Sequence, residues 1–469
     1  MDLFAKLIGN ISGFMYDRLL IIMLLAVGLF FTIVTKCPQF RLLAESIRVV
    51  GEKPGTKGGI SSFQALMVST ASRVGTGNIV GVSVAICSGG YGAVFWMWVI
   101  AVIGGASAFV ESTLAQIYKK RDAEGGSYGG PAYYIEALTK GRFLSIVFAV
   151  SMILTYAVGF NMLASFNLQS TFSAYSFYDP SVTPWVIGAL LAVLVGYCLL
   201  GGGKRIVKTT SVLVPFMGVV YILVSLYVIV THLSLFPVVM GKIFESAFDF
   251  KAIFGGIAGS ALMHGIKRGL YSNEAGIGSA PNAAAAAIVS HPVKQGLVQM
   301  LSVFIDTLLL CTATAFMCLF SGVAPAVELK GAPWVQSALS TVMGSAGPIF
   351  ITVAMVLFAF TTLLGNLYYV DNLWVYIFKK APSKTFMLVY RIAAMAVVCF
   401  GAAMEIGLVW DIADVLMGIM AIINLPVIVL LAKPAIAALN DYTRQRREGK
   451  NPVYVAADNG VKQKTDFWN

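Results

Sequence analysis

Apolar residues run along this chain in blocks of about 20 or more, the length a helix needs to cross a bilayer. Polar stretches between the blocks are short. The pattern predicts about eleven spanning helices, over residues 17–36, 61–87, 91–118, 142–170, 184–200, 206–232, 252–288, 296–321, 346–376, 384–404 and 411–432. The fold class is therefore an all-α integral membrane protein. In the loop GGSYGGPAYYIEAL, Gly125 to Pro131 reads as turns and Ala132 to Leu138 as a short amphipathic helix on a membrane face. Phe236 to Ile253 reads the same way on the opposite face, and the polar stretch from Lys433 to Asn469 reads as a mobile tail.

Composition agrees with lipid as the main solvent. Of 469 residues, 58% are hydrophobic and 12% charged, and mean hydropathy is +0.82. So few charges cannot cover a water-facing surface, which excludes a cytosolic enzyme, a disordered chain and a nucleic-acid-binding domain. The net charge of +11 has its own distribution: 24 of the 33 Lys and Arg fall on one side of the alternating spans and 5 on the other. Basic loops stay in the cytoplasm. The chain is therefore expected in the plasma or inner membrane, with its N-terminus outside and C-terminus cytoplasmic. No small-residue cleavage site follows the first block, so it reads as an uncleaved span. The six cysteines and three histidines show no CxxC or zinc spacing, and no cofactor is implied.

Two spans are unlike the rest. The second reads Arg73-Val74-Gly75-Thr76-Gly77-Asn78 at its centre, and the seventh carries Lys267, Arg268, Asn273 and Glu274 with Gly276 and Gly278. Either the helices break there, or the first is a close helix contact through small residues and the second a loop between shorter elements. Setting span 1 aside leaves two sets of five, each opening with a glycine-interrupted helix. That is the pattern of inverted repeats with binding at the midplane. Residues 1–60 would be an N-terminal helix and linker, 61–232 the first repeat, 233–432 the second and 433–469 the tail. At the first break, carbonyls near Ala71–Val74 suit a cation, and amides near Thr76–Asn78 suit a carboxylate. Thr361 and Thr362 in span 9 can complete a Na⁺ shell or bond their own backbone. Tyr156, Phe160 and Asn161 lie near mid-depth, where an aromatic could close over a substrate.

GTGNIVGV, GGYGAVFWMW, GGPAYYIE and above all RGLYSNEAGIGSAP resemble the alanine or glycine:cation symporter family over residues 60–430. The resemblance implies a leucine-transporter-like fold of five plus five helices with one extra N-terminal helix. It also implies Na⁺-driven uptake of a small neutral amino acid such as alanine or glycine, sometimes glutamine. By position, Gly75, Thr76, Gly77 and Asn78 match the first unwound stretch, and Tyr271, Ser272, Asn273 and Gly276 the second. Thr362 matches a threonine expected to touch ion or substrate. Asn366 stands where many members have Trp, and Arg73 where others have a small polar residue.

Substrate is then expected on Gly75, Thr76, Gly77, Asn78, Phe160, Tyr271, Ser272, Asn273, Gly276, Thr362 and Asn366, and Na⁺ on Ala71, Val74, Thr361 and Thr362. The partners are a small neutral amino acid, Na⁺ and lipid, with no nucleic acid. Of the charges in spans, Asp306 is the most deeply placed, with Arg73 a candidate partner; structural pairing is its default role. The competing readings are proton coupling through Asp306 or Glu274, a glutamine-selective symporter, a channel, or a membrane-embedded enzyme.

Overall fold

The computed structural model describes residues 2–54, 59–122, 125–249, 260–461, 463 and 465–468. The expected start of span 7 at 252–259, the end of the amphipathic segment at 250–253, and Lys57, Lys251, Lys462, Lys464 and Asn469 lie outside them. The first half runs α1 (Leu3–Val34), α2 (Leu43–Val50), α3 (Ser62–Arg73), α4 (Val80–Gly89), α5 (Ala93–Ile117), α6 (Pro131–Thr139), α7 (Phe143–Ala174), α8 (Thr183–Leu200) and α9 (Gly202–Thr231). The second runs α10 (Phe236–Ala247), α11 (Ala261–Asn273), α12 (Pro281–Ala286), α13 (Val293–Leu319), α14 (Ala332–Met343), α15 (Ala346–Phe378), α16 (Lys384–Ala402), α17 (Ile406–Leu430) and α18 (Ala432–Arg447). A two-stranded antiparallel hairpin, β1 (Lys120–Arg121) and β2 (Ser127–Tyr128), joins α5 to α6.

Nine helices among the described residues are long and apolar enough to cross a bilayer. They fall on nine of the expected spans. The other two, 61–87 and 252–288, are the pair with polar centres, and both are split, into α3/α4 and α11/α12. The first span is longer than expected. It begins at Leu3 and passes Asp17 and Arg18 through a wide π turn at Met15–Leu20. Charge near position 17 hid that continuation, because a hydropathy window stops where polar residues start. The loop helix α6 forms as expected, but Tyr134 and Ile135 are fully buried, so it is wedged into the protein rather than laid on a surface. Helix α14 was not foreseen; its Trp334, Val335, Ala338 and Leu339 are buried.

One packed group contains α5, α11 and α13, with α1 against α5; another contains α7, α8, α15 and α16. Small residues allow the first group to close. A Cβ on Gly265 would stand 2.5 Å from the Ala93 carbonyl oxygen, and one on Gly269 2.6 Å from Ile100. This four-residue glycine spacing lets backbones meet where lipid offers no hydrophobic drive. Helix α3 touches α13 of the first group and α15 of the second, so the first broken segment lies between the two groups.

The tail is folded, against expectation. Tyr442, Tyr454 and Trp468 are nearly or fully buried. The Trp468 indole N–H donates to the Gln116 carbonyl at 2.7 Å, the Ala456 amide to the Trp468 carbonyl at 2.7 Å, and the Tyr454 amide to the Ser290 carbonyl at 3.0 Å. Lys119 lies 4.5 Å from the Phe467 ring and 5.0 Å from that of Trp468, and its Nζ donates to the Ala287 carbonyl at 2.9 Å, just beyond α12. Burial, and then the nearby Arg121 charge, hold that ammonium down at about 7. A few aromatic anchors thus outweigh the polar average of the segment.

Trp468→Ala should release the tail. If local opening becomes easier by more than about 1.4 kcal/mol, trypsin cleavage after Lys450 accelerates about tenfold or more. An unchanged cleavage rate in purified protein would contradict the docked tail.

Candidate substrate and ion site

Helix α3 starts at a capping box in which the Gln64 amide donates to the Ser61 hydroxyl at 3.1 Å and the Ser61 amide to the Gln64 side chain at 3.0 Å. It stops at Arg73. Val74 leaves the helix, Gly75 is extended, Thr76–Asn78 form one 3₁₀ turn, and α4 resumes at Val80. Both glycines are required by close approach. A Cβ on Gly75 would stand 1.9 Å from the Thr362 hydroxyl of α15, and one on Gly77 2.6 Å from the Tyr271 ring of α11. The Gly75 amide, which in a continuous helix would bond the Ala71 carbonyl, donates instead to Asn78 Oδ1 at 2.8 Å.

The second segment unwinds later than expected. Tyr271, Ser272 and Asn273 form the last turn of α11; the non-helical stretch is 274–280. Glu274, Gly276 and Gly278 take positive φ of 55°, 85° and 89°, which only glycine adopts without strain. The Glu111 carboxylate of α5 accepts from the Gly276 amide at 3.2 Å, the Gly278 amide at 3.1 Å and Asn424 Nδ2 at 2.9 Å. Asn424 Nδ2 also donates to the Gly276 carbonyl at 2.9 Å, and the Tyr134 hydroxyl donates to Asn424 Oδ1 at 2.6 Å. Gly276 is thus held against α5 and α17, apart from the other expected site residues.

Asp306 ties the breaks together. It lies in a π turn at Phe304–Cys311 within α13. Its Oδ1 accepts from Asn78 Nδ2 at 2.8 Å. Its Oδ2 accepts from the Ser272 hydroxyl at 2.6 Å and the Thr307 hydroxyl at 2.9 Å. These four side chains are 0–1% exposed, so the cluster is closed to bulk solvent and rich in oxygen. Arg73 pairs with Glu274 at 3.9 Å rather than with Asp306. Glu111 at the second break, Glu274 beside Arg73 and Asp306 between the breaks are all fully buried.

The two threonines of α15 part company. The Thr362 hydroxyl faces Gly75 and is buried with no partner among the described residues. The Thr361 hydroxyl donates to the Leu357 carbonyl at 2.9 Å and faces Met217 of α9. Consecutive helical residues point about 100° apart, so one of the pair reaches the break. Asn366, one turn beyond Thr362, accepts from the Ser72 hydroxyl at 2.7 Å and donates to Asn161 Oδ1 at 2.9 Å. Thr76 accepts from Asn167 Nδ2 at 3.0 Å.

Aromatic rings cover the breaks on one side. Tyr271 meets Phe160 at 5.0 Å and Trp410 at 4.9 Å, edge to face, and Phe160 meets Tyr156 at 5.0 Å. The Arg268 guanidinium lies 4.0 Å from the Trp410 ring and donates to both Asp414 oxygens at 3.1 and 2.8 Å. Lys267 completes this outer cluster at 2.9 Å from Asp414. Asp414 and Trp410 escaped the sequence reading; an acid four residues after a Trp inside an apolar span was the available signal.

Residues 1–456 match the sodium:alanine symporter family. An amino-acid carrier protein of Bacillus subtilis is 45% identical, covering 99% of this chain and 98% of the relative. A probable sodium/glutamine symporter of the same organism is 44% identical, with 97% and 94% covered. A sodium/alanine symporter of Methanococcus maripaludis is 36% identical, with 96% and 99% covered. Among solved structures, MhsT in complex with L-phenylalanine superposes with a TM-score of 0.58 at 12% identity, covering 83% of this chain and 93% of that one. A manganese transporter of Eremococcus coleocola gives 0.51 at 12%, covering 87% and 86%. Both have the leucine-transporter fold, and this chain shares it. With its motifs, its fold and near full-length relatives in agreement, the chain belongs to the sodium:alanine symporter family, a family of transporters and not of enzymes.

Proposed function

We propose that this protein carries a small neutral amino acid, such as alanine or glycine, inward together with Na⁺. The observation that carries the reading is the charge at the centre: three carboxyls and one guanidinium, shut away from water beside two interrupted helices. Buried carboxyls in low dielectric ionise only when cations accompany them. A Na⁺ and a substrate ammonium would supply them. Hard oxygens suit a hard ion, and Asp306, Ser272, Thr307 and Asn78 form one such set. The Thr362 hydroxyl with the Ala71 and Val74 carbonyls forms a second. Thr361 leaves the ion set, because its hydroxyl is spent on its own helix. The substrate carboxylate would meet the amides of Thr76 and Gly77, with Phe160 and Tyr271 closing over its side chain.

A glutamine-selective symporter is the second reading. The Asn366–Asn161 pair gives the site an amide floor that could hold a carboxamide, and one relative is named a probable sodium/glutamine symporter. In proteoliposomes, labelled alanine uptake should need a Na⁺ gradient and ignore a protonophore. Unlabelled glutamine outcompeting alanine would favour the second reading. Uptake that survives without Na⁺ but collapses with the protonophore would sink both in favour of proton coupling.

Two substitutions probe the ion sets. Asp306→Asn removes a charged acceptor worth about 1.5–3 kcal/mol, so half-saturating Na⁺ should rise about 10- to 100-fold. Thr362→Ala removes one neutral oxygen, and the rise should be about fivefold. Unaltered Na⁺ dependence in either variant eliminates that set.

Orientation follows the basic loops: we infer that the face bearing residues 36–60, 119–142 and the tail is cytoplasmic, in the plasma or inner membrane. Cys37 is the exposed cysteine among the six and lies at the end of α1 on this face. A membrane-impermeant maleimide should label it only after cells are opened. Labelling of intact cells that is lost in Cys37→Ser would reverse the topology.

A further inference from the structure

A cavity of about 470 Å³ opens on the basic face, beside the start of α7 and the end of α15. Five cations line it, Lys119, Lys120, Lys140, Arg142 and Lys379, against one acid, Glu136. Two of the cations are occupied: Lys120 pairs with Asp466 at 3.2 Å, and Lys119 is spent on the Ala287 carbonyl. Glu136 accepts the Tyr376 hydroxyl at 2.6 Å. Among the described residues, Lys140, Arg142 and Lys379 have no carboxylate within 4.0 Å.

Two further observations separate this cavity from ordinary basic loops. Lys140 and Lys379 both hold left-handed backbone, with φ of 51° and 57°, at the ends of α6 and α15. Glycine takes such C-terminal positions at least cost. The helix dipole accounts for a cation at either end, but not for both meeting in one concave site. Between them, Arg142 donates to the Tyr376 carbonyl at 2.9 Å, while its Nε is buried with no partner. A donor in that condition is costly unless a ligand accepts from it.

We propose that this cavity binds the phosphodiester headgroup of an anionic phospholipid. Arg142, Lys140 and Lys379 would hold the phosphate oxygens, a planar fork and two ammonium groups matching several oxygens on one centre. The lipid source is favoured by what adjoins the site. Phe143, next to Arg142, is 83% exposed, and Val150 and Leu154 continue the same exposed stripe along α7. The spacing of seven and then four residues keeps them on one helix face, a track for acyl chains leading from the cavity. The site is independent of which amino acid is carried.

The test is native mass spectrometry of the purified full chain after exchange into mixed micelles of phosphatidylglycerol and phosphatidylcholine, with a second arm titrating glycerol 3-phosphate. The wild type should retain phosphatidylglycerol preferentially. R142Q/K379Q should lose that preference by about fivefold per cation removed, whereas K433Q/K450Q, on the same face away from the cavity, should keep it. K140Q offers a milder variant if the double one does not elute as a monodisperse peak. Equal retention of the two lipids by the wild type would overturn the proposal. So would a preference that R142Q/K379Q and K140Q leave intact, or tight glycerol 3-phosphate binding without lipid preference.

Discussion

A peptide group freed from a helix inside a bilayer must find a partner within the protein, because lipid offers none and each lone group costs several kcal/mol. The two breaks meet that demand differently. The second borrows from its neighbours: Glu111 of α5 takes two amides and Asn424 of α17 takes a carbonyl. The first is satisfied by its own Asn78, which accepts from the Gly75 amide and hands its Nδ2 to Asp306. The second break is therefore moulded by the surrounding helices. The first leaves the Thr362 hydroxyl without a partner among the described residues, which is where the proposed function would place an ion.

Charge explains why the breaks act as one unit. Arg73 ends the first half-helix and reaches Glu274, the residue that opens the second break. Asp306 holds Asn78 beside one break and Ser272 beside the other. Moving either broken helix alone would strip partners from buried charge, at a cost of about 3–5 kcal/mol per pair. Motion of α3 and α11 as a coupled pair avoids much of that cost. A cation arriving at Asp306 would also weaken the present bonds from Ser272 and Asn78, because the carboxylate oxygens are shared with it. In the proposed transport, occupancy of the site and the set of the two helices would thus be linked through one carboxylate.

The spans were legible because lipid imposes a length and a composition on every crossing helix. The breaks were legible because glycine and charge at mid-span have few other uses there. What hydropathy does not encode is facing. Thr361 and Thr362 look equivalent in the sequence, yet the 100° step between consecutive helical residues sends the first to Met217 and the second to Gly75. Gly276 belongs to the recognisable motif but packs on Leu425 and Ser107, away from the site. The tail was misread because four aromatic anchors are diluted among polar residues. Asp306 was visible as a deep charge, but Asn78 and Ser272, which bond it, come from two segments far from it in sequence, and no local pattern announces them.

The side of the site opposite the basic face is closed in layers. Gly77 touches Tyr271, Tyr271 touches Trp410, and Trp410 lies under Arg268, which grips Asp414. The extra N-terminal helix joins the outermost layer: the Lys267 ammonium donates to Ser12 at 3.0 Å and lies 4.8 Å from the Tyr16 ring. Pulling Arg268 from Asp414 in a dry interior would cost about 3–5 kcal/mol, enough to hold the open form below about 1% of molecules. Water entering as the helices part would solvate both charges and remove most of that penalty. The same pair that seals the site when dry is thus cheap to separate once wet. The aromatic layer beneath it carries no ion pair for water to solvate, although Trp410 would lose its Arg268 contact. In the proposed transport, opening on this side would therefore meet two different physical controls, hydration at the outer layer and ring packing at the inner.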